Sequence, residues 1–115
     1  YLPWARDGPS TECAVFEGFI DYLSALTLGL ISGADAIILN SVVNVNKAVP
    51  FLRSYRTINC YLDNDTAGRN ALSEVTAIYG SIVTDRSTLY AEFNDLNDYL
   101  VNRSFTKNTL SNENK

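Results

Sequence analysis

Several residue types are missing or scarce in this 115-residue sequence, which contains no histidine, no methionine and two cysteines. Zinc sites are built largely from histidine and cysteine, so no zinc is expected in this segment. Cys13 and Cys60 each lie in a short apolar run typical of a buried strand, which favours free thiols in a cytoplasmic protein over a disulfide. Because a complete translation product begins with methionine, we expect a segment excised from a longer protein.

Long apolar runs and a surplus of basic residues are also absent. No run approaches the roughly 18 residues that a membrane span requires, and the N-terminus is charged where the apolar stretch of a signal peptide would lie, so no membrane partner is expected. Nine basic residues face 13 acidic ones, a net charge of −4. Proteins that hold a phosphate backbone alone are usually basic. This disfavours strong independent binding to nucleic acid, but not catalysis on it.

The sequence alternates between short apolar runs and amphipathic stretches. The apolar runs predict strands at 13–16, 36–39, 58–62 and 81–83. Apolar residues at helical spacing predict helices over 18–30, 45–52 and 66–79, with further helical turns at 95–101. Pro50 is expected to bend the second helix or delay its start. The order predicts an α/β fold with a mainly parallel sheet of about four strands and helices on both faces.

The length is that of one domain, with enough residues to bury a single core. We predict that this domain occupies residues 1–102. Residues 103–115 are rich in asparagine, serine and lysine, which predicts a flexible polar tail.

Acidic side chains follow the first and third predicted strands. Glu17 ends the first strand, and Asp63 and Asp65 come directly after the third. Ligands bind at the carboxyl ends of the strands in an open parallel sheet, and residues i and i+2 of an extended segment point to the same side. If the two strands are neighbours, three carboxylates meet there and repel one another unless a cation lies between them. Such hard oxygen ligands suit Mg²⁺ or Mn²⁺.

These acids also allow other interpretations. Each acid taken alone is also consistent with a helix cap, and the segment 63–65 with an Asp- and Asn-rich turn. An EF-hand loop starting at Asp63 would have Gly68 and Glu74 in place, but Ala67 stands where an oxygen ligand is required. Haloacid-dehalogenase phosphatases have a threonine at the position of Ala67. Both alternatives are disfavoured.

Three segments resemble the Toprim family, whose fold is shared by bacterial primases and topoisomerases. Residues 15–21 (VFEGFID) resemble the first Toprim motif, a strand that ends in Glu-Gly. Residues 61–71 (YLDNDTAGRNA) resemble the second motif, in which Asp-x-Asp runs into Ala-Gly-Arg at a helix start, in the version typical of bacterial primases. Residues 95–100 (DLNDYL) resemble the Asp-rich segment after the last strand. The resemblance implies a compact, Rossmann-like Toprim fold.

The resemblance also implies roles for the three acids. Glu17 takes the position of the general acid or base, which can also contact metal. Asp63 and Asp65 take the positions of the Mg²⁺ ligands. Residues 40–44 depart from the small, glycine-containing turn of primases, which leaves one wall of the site unassigned.

Further residues near the motifs have secondary expected roles. Gly18 and Gly68 would let the backbone pass close to the site. Arg69 would contact a phosphate or stay solvated. Asp21 would support the site from behind or stay exposed, and Asp95 would cap the last helix or complete the metal shell.

The function implied is that of the Mg²⁺-dependent catalytic domain of a primase-like nucleotidyltransferase in DNA replication. Nucleic acid and nucleotides would be the partners, held mainly by flanking domains, so the isolated segment would be weakly active. A metal-dependent Toprim nuclease, a topoisomerase-related domain and a non-catalytic interaction module remain as alternatives.

Overall fold

A four-stranded parallel sheet forms the centre of the protein, whose computed structural model describes residues 11–103. The strands pair in the order β2-β1-β3-β4. Their bounds are β1 Glu12–Phe16, β2 Asp35–Ile38, β3 Thr57–Tyr61 and β4 Val83–Asp85. The first strand therefore lies between the second and the third, as a site shared by Glu17 and Asp63 requires.

The register places the carboxyl ends of the three longer strands level with one another. Phe16 at the end of β1 pairs with Ile38 of β2 and with Tyr61 of β3. Because all three strands run in one direction, the turns that follow them open at the same edge of the sheet. We call this edge, where β1, β2, β3 and β4 end, the carboxyl edge.

Helices connect the strands and cover the sheet. They are α1 Phe19–Leu28, α2 Val45–Ala48, α3 Thr66–Tyr79 and α4, residues 96–103. The first ends at Gly29, whose φ of 73° is left-handed and whose N–H bonds back to the carbonyls of Ala25 and Leu26. A glycine adopts this backbone without the steric penalty that a side chain would bring, so it stops the helix.

Apolar side chains pack on both faces of the sheet. On one face, Cys13 and Val15 of β1 pack with Val75 of α3 in a cluster that α2 completes. On the other face, Ala14 and Phe16 of the same strand pack against α1 and the start of α4. Successive residues of a strand point to opposite faces, so an uninterrupted apolar run is buried on both. The predicted α/β fold, with a parallel sheet and helices on both faces, is confirmed.

Both cysteines lie in this interior as free thiols. Burial raises the pKa of Cys13 and of Cys60 to about 12, so both stay protonated at neutral pH. They behave as small apolar side chains, as their position in apolar runs predicted.

The connection between β2 and β3 is less regular than the helix predicted over 45–52. One α-helical turn, Val45–Ala48, is flanked by 3-10 turns at Val42–Asn44 and Val49–Leu52. Pro50 lies at the start of the second 3-10 turn, where its missing N–H leaves no hydrogen bond unmade. The proline thus divides the helix rather than bending it.

Several other boundaries differ from the prediction by one or two residues. The fourth strand was predicted at 81–83, but Gly80–Ile82 forms a 3-10 turn and pairing with β3 begins at Val83. Helical structure after the sheet runs over 96–103 rather than 95–101, so Arg103 is still helical. The polar tail predicted from there on otherwise lies outside the described residues, as do residues 1–10. Among residues 11–103, no helix combines the length and apolarity that a membrane span demands.

Candidate metal centre at the carboxyl edge

Three carboxylates converge at the carboxyl edge of the sheet. Glu17 follows β1, and Asp63 and Asp65 follow β3. Each contributes one oxygen, and these three oxygens all lie within 4.8 Å of one another. Glu17 and Asp63 are half-buried and Asp65 is exposed. The structure therefore brings together the three residues that the sequence predicted as a group.

Two oxygens of this group have no donor among the described residues. Oε1 of Glu17 and Oδ1 of Asp63 are both inaccessible to solvent, and neither accepts a hydrogen bond from residues 11–103. Leaving a buried oxygen unpaired costs about 1–3 kcal/mol, and more if it is charged, so each such atom requires an explanation. A cation between the carboxylates would satisfy both oxygens together.

The electrostatics of Asp63 are consistent with this reading. Burial, followed by a hydrogen bond with Glu17 and by the negative charges of Glu17, Asp95 and Asp65, raises the pKa of Asp63 to about 8. A hydrogen bond between two carboxyls exists only while one is protonated, which explains why both oxygens lack a donor when the acids are ionised. Without a cation, the raised pKa keeps Asp63 mostly protonated at neutral pH.

Asp65 combines a structural contact with its position in the cluster. It is the N-cap of α3, where its Oδ1 accepts a hydrogen bond of 2.8 Å from the N–H of Gly68. The cap interpretation of this acid is thus correct for one oxygen. Capping leaves lone pairs on the second oxygen, so the two roles are compatible.

No such cap is seen for Glu17. The N-cap of α1 is Gly18, which has no side chain with which to cap the helix. The backbone of Gly18 is extended, with φ of −130°. A side chain added there would lie 3.8 Å from Oδ2 of Asp21, an ordinary contact. The predicted need for glycine at this position is not a steric one.

Gly68 differs from Gly18 because it packs directly against the loop that carries Asp63. A Cβ at this position would lie 2.2 Å from the carbonyl oxygen of Asp63 and 2.9 Å from its nitrogen. These atoms belong to the backbone and cannot swing aside. Gly68 therefore allows the first turn of α3 to pack against the loop.

An open groove of about 370 Å³ lies in front of the acids. The far wall is formed by residues 40–42, after β2, and the helical side by Ala67. Asn40 adopts a left-handed backbone with φ of 66°, which asparagine tolerates better than most residues. The turn that departs from the primase pattern is thus the turn that faces the acids.

Asp21 and Asp95 both bind the start of α4. Oδ1 of Asp95 accepts a hydrogen bond of 2.8 Å from the N–H of Asp98, and Oδ1 of Asp21 accepts one of 3.2 Å from Asn97. Asp21 is only 8% exposed, and its burial raises its pKa to about 6 despite the hydrogen bond from Asn97. Asp95 has the contact expected of a helix cap, and Asp21 is a buried residue that lines the groove.

Arg69 is half-exposed and lies along the carboxyl edge. Its guanidinium donates to Oδ2 of Asp85 at 3.0 Å and to Oδ1 of Asn64. Asp85, the last residue of β4, also accepts hydrogen bonds from the N–H and hydroxyl of Ser87. Sequence reasoning assigned no role to Asn64 or Asp85. The signal available for Asn64 was its place between two aspartates, which directs its side chain to the opposite side of the loop.

The donor set fits a hard divalent cation. Three carboxylates without histidine or cysteine suit Mg²⁺ or Mn²⁺, and two of their buried oxygens lack other partners among residues 11–103.

The family comparison covers most of the chain. A model described as Toprim-like matches residues 14–100, a range that includes Glu17, Asp63 and Asp65. A search of curated proteins finds no match.

Solved structures add a likeness of fold. The crystal structure of the primase fragment of the bacteriophage T7 primase-helicase protein matches with a TM-score of 0.67 at 21% sequence identity. The match covers 84% of this chain and 41% of that fragment, so this chain spans less than half of the fragment's length.

Proposed function

The chain belongs to the Toprim-like family, and from that membership and the acidic site we propose a Mg²⁺-dependent catalytic domain of a primase-like nucleotidyltransferase. The observation that carries the proposal is the convergence of three carboxylates whose two buried oxygens lack a donor among residues 11–103. A fold that needed these acids only for stability would give those oxygens hydrogen bonds. The reaction is the joining of nucleotides during DNA replication.

Asp63 and Asp65 would hold the cation together with Glu17. Held there, Mg²⁺ or Mn²⁺ would supply positive charge against the negative charge that develops on a phosphoryl group. Glu17 takes up the proton of the attacking hydroxyl as general base. The position of Glu17 supports this role, since one of its oxygens lies within 4.8 Å of the oxygens of Asp63 and Asp65 that would hold the cation.

The groove in front of the acids receives the reacting nucleotide. Its volume of about 370 Å³ lies at the lower end of the range for small-molecule sites. The net charge of −4 makes this chain a poor anchor for a nucleic acid strand. Nucleic acid is therefore held mainly by flanking domains, with residues 1–102 as the Toprim domain of a longer cytoplasmic protein.

Calorimetric titration with Mn²⁺ and Mg²⁺ tests the metal site. We expect binding by the parent chain and a loss of at least about 100-fold in affinity in Asp63→Asn/Asp65→Asn, since even partners outside the metal shell account for 10–100-fold. Glu74→Gln, an exposed acid on α3, is the matched control and should bind like the parent. Equal binding by the double variant would leave the interaction module as the better description.

The reaction type is tested by offering a single-stranded template with labelled nucleotides and, separately, a supercoiled plasmid. We expect weak incorporation of nucleotides that requires Mg²⁺ or Mn²⁺ and disappears in Glu17→Gln. Plasmid nicking without incorporation would replace the nucleotidyltransferase by a nuclease that uses the same carboxylates.

A further inference from the structure

Asn64 is the centre of a hydrogen-bond network behind the metal site. Its side-chain amide donates to the carbonyls of Tyr90 and Phe93 at 3.0 and 2.9 Å. Its carbonyl oxygen accepts from Arg69, and its backbone N–H donates to the carbonyl of Asn94 at 2.7 Å. Both donors and the acceptor of the side chain are thus in use.

The partners of Asn64 are themselves fixed to the sheet. Tyr90 is 1% exposed, and its hydroxyl donates to the carbonyl of Leu62 at 2.7 Å. Arg69 is held by Asp85 at the end of β4. The loop that carries Asp63 and Asp65 is therefore tied on one side to residues 90–94 and on the other to β4.

Repulsion between the acids explains why the loop that carries Asp63 and Asp65 requires these contacts. Cation binding requires Glu17, Asp63 and Asp65 to be ionised, and like charges within 4.8 Å then repel one another and push the loop away from β1. A ligand set that is already in place binds a cation without the cost of ordering the loop. Asn64 lies between the two aspartates and resists the displacement from the opposite side.

We infer that Asn64 is a positioning residue that holds Asp63 and Asp65 in place for the cation. The inference rests on the proposed function in that the two aspartates are taken as metal ligands. Asparagine suits the position because it offers two donors to the two carbonyls and an acceptor to the guanidinium. An aspartate would face the carbonyls with an acceptor and add a fourth negative charge.

The first test uses amide hydrogen exchange on the metal-free chain, comparing the parent with Asn64→Ala and with Asn70→Ala, an exposed asparagine on α3. In Asn64→Ala we expect exchange at the amides of residues 64 and 68 to be at least about 10-fold faster, with the amides of β1 and β3 unchanged. The control should match the parent. Unchanged exchange at residues 64 and 68 would overturn the inference.

The second test measures Mn²⁺ affinity by calorimetry, well below the melting temperature of every variant. We expect affinity to fall about 10–100-fold in Asn64→Ala, at least as much in Asn64→Asp, and not in Asn70→Ala. Faster exchange with parental Mn²⁺ affinity would overturn the positioning of the ligands. If the parent itself does not bind Mn²⁺, the proposed function fails, and the exchange result alone decides whether Asn64 fixes the loop.

A third variant covers the case in which Asn64→Ala does not fold. Arg69→Gln removes the part of the network that lies at the surface, since the Arg69 side chain is 49% exposed. We expect this variant to fold and to show the same local rise in exchange, with a smaller loss of Mn²⁺ affinity. Parental exchange and affinity in this variant would count against the network.

Discussion

Two aspartates at the carboxyl edge have pKa values that are shifted in opposite directions. Burial alone would raise the pKa of Asp85, but hydrogen bonds from Ser87 and Arg69 outweigh it and lower the pKa below its usual value. Asp63, after the neighbouring strand, keeps a buried oxygen without a donor among residues 11–103, and burial and Glu17 raise its pKa to about 8. The fold is able to satisfy an aspartate at this edge, so the unsatisfied one points to a ligand.

The largest effect on stability and on Mn²⁺ affinity is expected from Gly68→Ala, which displaces the loop that carries Asp63. Its Cβ would lie 2.2 Å from the Asp63 carbonyl oxygen, so the loop must move. We expect a loss of about 1–3 kcal/mol in the free energy of unfolding. Mn²⁺ affinity should also fall by about 10-fold or more.

Gly18→Ala is the control for that change, because its Cβ meets Asp21 at an ordinary 3.8 Å. We expect it to stay within about 0.5 kcal/mol of the parent in urea unfolding. Equal effects of the two substitutions would mean that the packing of α3 on the loop is not what limits the site.

Asp85→Asn changes the aspartate whose carboxylate is fully hydrogen-bonded. It weakens the ion pair with Arg69 and the hydrogen bonds from Ser87, and partial exposure keeps the cost modest, at about 1 kcal/mol. For a domain of this size that is a fall of about 4–8 °C in melting temperature. Mn²⁺ binding should persist, and its complete loss would place Asp85 inside the metal site.

Asp95 sharpens the comparison from a third position, since it both caps α4 and lies near enough to Asp63 to raise its pKa. We expect Asp95→Ala to cost about 1 kcal/mol in urea unfolding and Asp95→Asn to cost little, because asparagine also caps helices. If Asp95→Asn instead keeps its stability but loses Mn²⁺ affinity, Asp95 belongs with Asp63 as a ligand.

The pH dependence of stability is a smaller and more specific signature. The pKa of Asp63 is raised in the folded state, so its contribution to stability is complete below its ordinary value of 3.8 and is lost as pH rises through about 8. The melting temperature of the metal-free chain should therefore fall between pH 5 and pH 8.5, scanned in steps at constant ionic strength.

Asp63→Asn separates that signal from other groups. Asp21 contributes with the same sign, but its pKa of about 6 confines the effect to lower pH. The variant should therefore lose the slope above about pH 6.5 and keep part of the slope below it. A slope above that pH that is the same in both proteins would assign it to another group.

Much of the site was predictable because it depends on neighbours in sequence. The apolar runs indicated a sheet buried on both faces, and the Asp-x-Asp spacing placed two carboxylates on one side of a loop. Glu17 lies beside these two carboxylates because β1 and β3 are adjacent in the sheet. These inferences require only local backbone geometry and the rule for carboxyl ends of parallel strands.

The remaining features depend on contacts between residues far apart in the chain. Asn64 bonds to carbonyls 26 and 29 residues away, and Asp21 to an amide 76 residues away. No periodicity encodes such partners. The prediction of the second helix was wrong for a different reason. Pro50 divides a segment with regular apolar spacing into separate short turns.

The most direct test of the account is the melting temperature at pH 8, with and without Mn²⁺, of the parent, Asp63→Asn and Asp85→Asn. Removing repulsion should raise the metal-free melting temperature of Asp63→Asn above that of the parent and abolish the increase that Mn²⁺ produces. Asp85→Asn should melt lower than the parent and keep the increase. If Asp63→Asn melts lower and still responds to Mn²⁺ like the parent, the carboxylates serve the fold rather than a cation.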